Sequence, residues 1–203
     1  CVETNAAHAL ARWLRSWRHL HPRSQVEIYA ADSDDLKAHL DAGTIDAAVL
    51  LAPVEAAKYQ NVPLAEKEVW GVTVHKDHPL ARETAVTTDM LEGFPLMLPH
   101  RHILRDAFEE WFGESASRMT VAGFINLSTV PFMTLAGDAR TVMLVVKGAF
   151  DMRPPEGLVF IPLVPERTSE QILVRRRNVA LSSAAEAFWA HAARSAERDD
   201  AGE

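Results

Sequence analysis

An α/β fold of two Rossmann-like lobes with a cleft between them is the architecture this sequence predicts. Three observations predict it. Strand-length apolar runs alternate with amphipathic helical segments along most of the chain. Several of these runs end at a short polar pair where a helix begins: Thr4-Asn5, Asp32-Ser33, His100-Arg101, and Asn126 with Ser128. Finally, two crossovers, near Val74 and at Val164 to Ser169, break the rhythm and divide residues 1–73 plus 166–203 from residues 74–165.

From Ala7 to Leu20 the large apolar residues Leu10, Trp13, Leu14 and Trp17 fall at helical spacing, with Arg12, Arg15 and Arg18 off that stripe. Pro22 ends the segment. Val26, Ile28 and Ala30 alternate with polar neighbours, which predicts a strand. Asp32-Ser33 then opens a helix carrying Leu36 and Leu40, and Gly43 stops it. Ile45 to Leu51 is nearly continuous apolar sequence, the pattern of a strand buried on both faces.

The second lobe is predicted to begin after a strand at Val69 to Val74 and a turn at His75 to Pro79. A short helix from Thr87 or Thr88 ends at Gly93. Leu96 to Leu98 and Val121 to Ile125 are strands. Helices follow each of them, one bearing Ile103, Leu104, Phe108, Trp111 and Phe112, the other Val130, Phe132, Met133 and Leu135. Thr141 to Val146 and Leu158 to Leu163 are further strands. The chain returns through a strand at Gln171 to Val174 and a helix capped by Ser182-Ser183. From Ser195 onward the sequence is small and charged and predicts disorder.

Composition excludes several classes of function. The chain has 203 residues, 48% hydrophobic and 24% charged, with a formal net charge of -7. That balance argues against DNA binding by this piece alone, since phosphate contacts need a basic face. Arg175-Arg176-Arg177 would alternate between faces of a strand, so they read as a solvated or ion-paired edge. No apolar run spans a bilayer, which leaves no membrane role to assign. The single cysteine forbids a disulfide within these residues and fits a reducing, cytoplasmic setting. Opening on Cys1 rather than Met, the sequence reads as a piece of something longer; a lipidated cysteine is the competing reading.

Catalytic and metal motifs are missing from the pattern. There is no Gly-x-Ser-x-Gly, no phosphate loop and no His-Glu-x-x-His. His19/His21, His75/His78 and His100/His102 lack a third ligand at a familiar spacing, so no metal, no cofactor and no catalytic residue is assigned. The polar pairs point instead to binding. A helix start presents free N–H groups and positive dipole potential, which suits a small anion. Arg101 or His100 at such a start would meet a carboxylate.

The order and spacing of several motifs resemble the effector-binding domain of LysR-type transcriptional regulators. Leu20-His21-Pro22 before Val26-x-Ile28, Gly43-Thr44-Ile45-Asp46-Ala47-Ala48-Val49, His78-Pro79-Leu80-Ala81, Asn126-Leu127-Ser128-Thr129 before Leu135-Ala136-Gly137, and Leu181 to Phe188 are each similar to a family segment. Asp138 to Val145 departs from the family pattern. The resemblance implies a type 2 periplasmic-binding-protein-like fold with the effector in the interlobe cleft. It implies effector contacts at Thr4, Asn5, Asp32, Ser33, Ala52 and Pro53 of the first lobe. In the second lobe it implies Pro99, His100, Arg101, Asn126, Leu127 and Ser128. It further implies a homodimer or tetramer, with Trp13 and Trp17 as interface candidates, and DNA contact only through an N-terminal winged helix-turn-helix that these residues do not include. The competing function is an extracytoplasmic solute-binding protein of a transporter. An enzyme of the same fold would need a general acid or base, for which Glu3, Asp32 or His100 could serve, but no motif supports it.

Overall fold

The structure is a computed structural model, and it describes residues 4–100, 108–126, 131–132, 138–152, 154 and 156–201. Residue contacts group the chain into two compact units, Cys1–Lys67 with Ser169–Glu203, and Glu68–Thr168. The second unit is thus inserted into the first, and its limits differ by a few residues from those expected at 73/74 and 165/166.

In the first unit, helix α1 (Ala6–Leu20) begins where the Thr4 hydroxyl accepts the Ala6 N–H at 3.3 Å. It ends with the His21 N–H donating to the Trp17 carbonyl. Helix α2 (Ser33–Ala42) is capped by Asp32, whose Oδ1 accepts the N–H groups of Asp34 and Asp35 at 3.0 and 2.9 Å. It stops at Gly43, where φ is 71°, a left-handed conformation that costs a Cβ-bearing residue energy. Strand β1 (Ala48–Leu51) follows, fully buried.

β1 pairs antiparallel with β7 (Thr168–Arg176), from Ala48 opposite Val174 to Leu51 opposite Gln171. Alternation along β1 divides the core in two. Ala48 and Leu50 pack with Leu36 and Leu40 of α2 and with Tyr59. Val49 packs with Ala6 and Trp13 of α1 and with Ala192 and Ala196 of α4 (Ser183–Ala201). So α2 covers one face of β1, and α1 and α4 cover the other. Each fully buried leucine here contributes roughly 1.5–3 kcal/mol.

Two expectations for this unit fail. Residues 25–30 form neither helix nor paired strand, and Val26 and Ile28 are exposed. The alternation is present, but among the described residues none of the strands includes or pairs in register with this segment. The predicted disorder from Ser195 is also wrong, because α4 continues to Ala201. Asp199 explains the extension: it accepts the Trp13 Nε1–H at 3.2 Å and pairs with Arg12. The arginine run is occupied. Arg175 meets Gln60 and Glu186 and lies over the Trp189 ring, Arg176 donates to the Asp41 carbonyl, and Arg177 donates to the carbonyls of Ala56 and Tyr59.

In the second unit, β3 (Pro95–Pro99) runs parallel to β4 (Thr120–Ile125) on one side and to β5 (Val142–Val146) on the other. β5 pairs antiparallel with β2 (Tyr59–His75), which also pairs antiparallel with β6 (Leu158–Pro162). One cluster joins Ile125, Phe132, Met143, Val145 and Leu158. Elsewhere in the unit Trp70 meets Phe108 and Trp111 edge-on at 5.5 and 5.6 Å.

β2 is far longer than the predicted Val69–Val74, because Pro63 and the charges at Glu66 to Glu68 disguise its first half. A short helix, α3 (Lys147–Asp151), was not expected; the fully buried Glu68 carboxylate accepts the Gly148 N–H in its first turn at 2.9 Å. The helix expected before Gly93 is a 3-10 turn over Asp89–Leu91. The helices expected after β3 and β4 are described only at residues 108–112 and 131–132.

Candidate functional site

In the first unit, three segments carry the expected contacts. Thr4 is 2% exposed, and since its oxygen accepts from Ala6, its hydroxyl proton is left to donate. The other first-turn amides of α1 are satisfied locally: the Ala7 N–H donates to the Thr4 carbonyl and the His8 N–H to the Asn5 carbonyl. Asn5 occupies the cap position with helical φ/ψ, and its side chain does not cap. The capping group is therefore Thr4.

At α2 the roles divide. Asp32 caps the helix, so Ser33 is its first helical residue rather than its cap. Ser33 is 6% exposed, and among the described residues its hydroxyl has no hydrogen-bond partner. The loop after β1, carrying Ala52 and Pro53, lies beside this start. Ala31 belongs to the same core cluster against which Ala52 and Val54 pack. The Ala52 N–H donates to the Glu170 carbonyl at 2.8 Å, and the Ala52–Pro53 peptide is cis. Glu55 ties this loop to α2 through Lys37 at 3.1 Å. A hydrogen bond from its own backbone amide, and then Lys37, hold the Glu55 carboxyl below the usual carboxylate range.

Charge distinguishes the two helix starts. Asp32, Asp34 and Asp35 crowd the beginning of α2, while the first turn of α1 has no acid. A carboxylate is favoured at Thr4 and disfavoured at Ser33, where a neutral hydroxyl or amide suits the site.

In the second unit, Pro99 pairs with Ile125 across parallel strands, so His100 and Asn126 leave the carboxyl ends of β3 and β4 side by side. The His100 N–H donates to the Ile125 carbonyl at 2.7 Å, and its ring meets Phe124 edge-on. Both side chains are exposed. Arg101, Leu127 and Ser128 lie outside the described residues.

The interface candidates Trp13 and Trp17 are both packed within the first unit. Each is 2% exposed: Trp13 is held by Asp199, and Trp17 stacks on His21 and meets Phe188 edge-on. Helical spacing alone cannot separate a second helix of the same chain from one of a neighbour, and α4 is the helix that covers them.

The class these features define, an α/β binding domain built on βα ends, agrees with sequence and structure comparisons. Residues 1–197 match the model of the LysR substrate binding domain, and the chain belongs to that family. The "Hydrogen peroxide-inducible genes activator" of Pectobacterium carotovorum subsp. carotovorum is 30% identical over 152 residues, which are 72% of this chain and 50% of that protein. The "DNA-binding transcriptional dual regulator OxyR" of Escherichia coli (strain K12) is also 30% identical over 152 residues, covering 72% of this chain and 49% of the relative. The chain therefore spans about half the length of these relatives. Among solved structures, the effector-binding domain of QuiR in complex with shikimate superposes with a TM-score of 0.81 at 15% identity, covering 97% of this chain and 94% of that one. The fold is accordingly the type 2 periplasmic-binding-protein-like fold of LysR effector-binding domains. Among the described residues, no helix is long and apolar enough to cross a membrane.

Proposed function

We propose that this domain senses a small effector bearing an anionic group and at least one hydroxyl, and that the effector modulates DNA binding by another part of a longer, cytoplasmic regulator. The observation that carries the reading is the Ser33 hydroxyl, which belongs to a residue 6% exposed at a helix start and makes no hydrogen bond to another described residue. A hydroxyl so placed keeps its donor and acceptor for a ligand, and one neutral hydrogen bond to it is worth about 0.5–1.5 kcal/mol. Thr4 and Asn5 receive the anionic group, and Ala52 and Pro53 line the approach to Ser33. Asp32 acts through the helix it caps. In the second unit Pro99, His100, Arg101, Asn126, Leu127 and Ser128 are the proposed contacts. The shikimate held by QuiR has the proposed chemistry.

The family match and the named relatives are those of regulators, which favours this reading over a transporter's solute-binding protein. DNA binding and self-association, as dimer or tetramer, are proposed for the whole regulator. Peroxide sensing through a disulfide within these residues would need two cysteines, and the sequence has one. A thermal-shift screen of small hydroxy-carboxylates, shikimate among them, tests the proposal. A ligand at 100 times its Kd stabilises the folded state by about 2.7 kcal/mol. The expected responder binds more weakly to Thr4→Val than to the parent; a responder indifferent to Thr4 and Ser33 would refute the assignment.

A further inference from the structure

Charge is unevenly placed in the first unit. The whole chain has a formal net charge of -7, yet α1 carries Arg12, Arg15 and Arg18 and no acid at all. His8, Arg12, Arg15 and His19 stand at i, i+4, i+7 and i+11, and all are exposed. They form one stripe about 16 Å long, on the side of the helix away from the buried Trp13 and Trp17. A helix dipole favours cations in the last turn, which accounts for Arg18 and His19 but not for Arg12 and Arg15.

α4 runs antiparallel beside α1: Phe188 meets Trp17, His191 Nε2 lies 2.7 Å from the Ser16 hydroxyl, and Asp199 reaches Trp13. His191, Arg194 and Arg198 share one side of α4 at i, i+3 and i+7. That side meets α1 at Ser16, so the exposed Arg194 and Arg198 continue the α1 stripe across the seam. Asp199 neutralises Arg12 in part, at 3.2 Å. Glu197 stands about 120° around α4 from His191, off the shared side. Arg15, Arg18 and Arg194 make no ion pair or hydrogen bond to another described residue. His191 registers the surplus: after burial, it is Arg194, Arg198 and His21 that hold its pKa down.

Two properties select the partner. Both helices use arginine and neither has a lysine; the planar guanidinium fork matches the oxygens of phosphate and carboxylate. The stripe carries no large apolar side chain. Docked polypeptide is held mainly by such anchors, whereas a phosphate backbone needs only cations. We propose that this α1–α4 face binds the phosphate backbone of duplex DNA without reading its bases. The net charge of -7 keeps the contact weak for the domain alone. Beside DNA already held by another part of the regulator, a high effective concentration makes it count. Taking DNA as the polyanion rests on the reading as a regulator; the effector site has no part in it, so a failed effector screen leaves the titration below interpretable.

The test titrates a labelled duplex of about 20 bp and arbitrary sequence with the 203-residue chain, without effector, from about 20 to about 150 mM salt. Engagement of about three phosphates gives a slope of log K against log salt of roughly -2.7. Arg15→Gln combined with Arg194→Gln is expected to weaken binding at the lowest salt by at least about 10-fold and to flatten the slope by roughly 1.8. Lys76→Gln combined with Arg82→Gln removes the same charge from exposed sites of the second unit and is expected to change affinity less than about 2-fold. Both variants alter only exposed side chains and should keep the parent Tm. Equal loss in the second variant would show that net charge alone acts. A polyglutamate peptide that competes as well as DNA would assign the face to an acidic protein. A changed oligomeric state in the first variant would assign it to a second copy of the chain. Each of these results, or the lack of any salt-dependent binding by the parent, would overturn the proposal.

Discussion

Asp32 and Ser33 are neighbours at one helix start, yet the structure assigns them separable jobs. Asp32→Ala removes an acceptor for two backbone N–H groups, at 3.0 and 2.9 Å. Loss of such a cap costs about 0.5–2 kcal/mol. At ~1 kcal/mol, a chain of this size loses roughly 2–4 °C in Tm. Ser33→Ala removes no hydrogen bond that the described residues make, so Tm should stay within about 1 °C of the parent. Its effect belongs to the ligand. One neutral hydrogen bond is worth about 0.5–1.5 kcal/mol, so affinity for a responding hydroxy-carboxylate should fall about 2- to 13-fold. Thermal unfolding without ligand and titration calorimetry with it separate the two. If Ser33→Ala lowers Tm as much as Asp32→Ala does, the hydroxyl is structural. If it leaves affinity unchanged, the effector does not touch it. Either result refutes the division.

Three further outcomes follow from packing and titration. Gly71→Ala would set a Cβ 2.4 Å from the Ile161 carbonyl oxygen and from Phe160 Cζ, so denaturant unfolding should show a loss of about 1–3 kcal/mol or more. Trp13→Phe keeps the ring and loses the Nε1 bond to Asp199, costing about 1 kcal/mol, with faster amide exchange at residues 195–201 as the local signature. His191 packs with its Nε2 2.7 Å from the Ser16 hydroxyl. Burial first, and then Arg194, Arg198 and His21, push its pKa below the ordinary histidine value. The native state thus resists protonation, so this contribution to stability is intact above about pH 6.5 and is lost as pH falls from there toward the lowered native value. Urea midpoints measured between pH 7.5 and 5 should fall less steeply in His191→Gln; equal slopes would show that His191 does not titrate on unfolding.

Most elements were legible because their signals are local. The α1 stripe, the Asp32 cap, the Gly43 stop and the apolar run of β5 each depend on a few adjacent residues. What stayed hidden depends on distant partners. The end of α4 is held by α1 through Asp199, α3 is capped by Glu68 from far upstream, and residues 25–30 carry a strand pattern but fall outside the strands of the described residues. The candidate contacts divide the same way. Asp32-Ser33 announced a helix start, but which oxygen caps it and which is spare is a matter of atomic placement. The adjacency of His100 and Asn126 follows from the β3–β4 register, which no single segment encodes. Trp13 and Trp17 were correctly read as a buried stripe, whereas the identity of what buries them was not in the spacing.

The second unit is one uninterrupted stretch, residues 68–168, while the first is assembled from segments on either side of it. During synthesis the first unit must wait. Its β7 and α4 emerge from the ribosome last, so β1 has no partner in β7, and Trp13 none in Asp199, until the inserted unit has been made. The inserted unit can begin to fold while α1, α2 and β1 are still exposed and adhesive. A pause or truncation near residue 168 would therefore release a nascent chain whose last-made half is ordered and whose first-made half is prone to capture by chaperones.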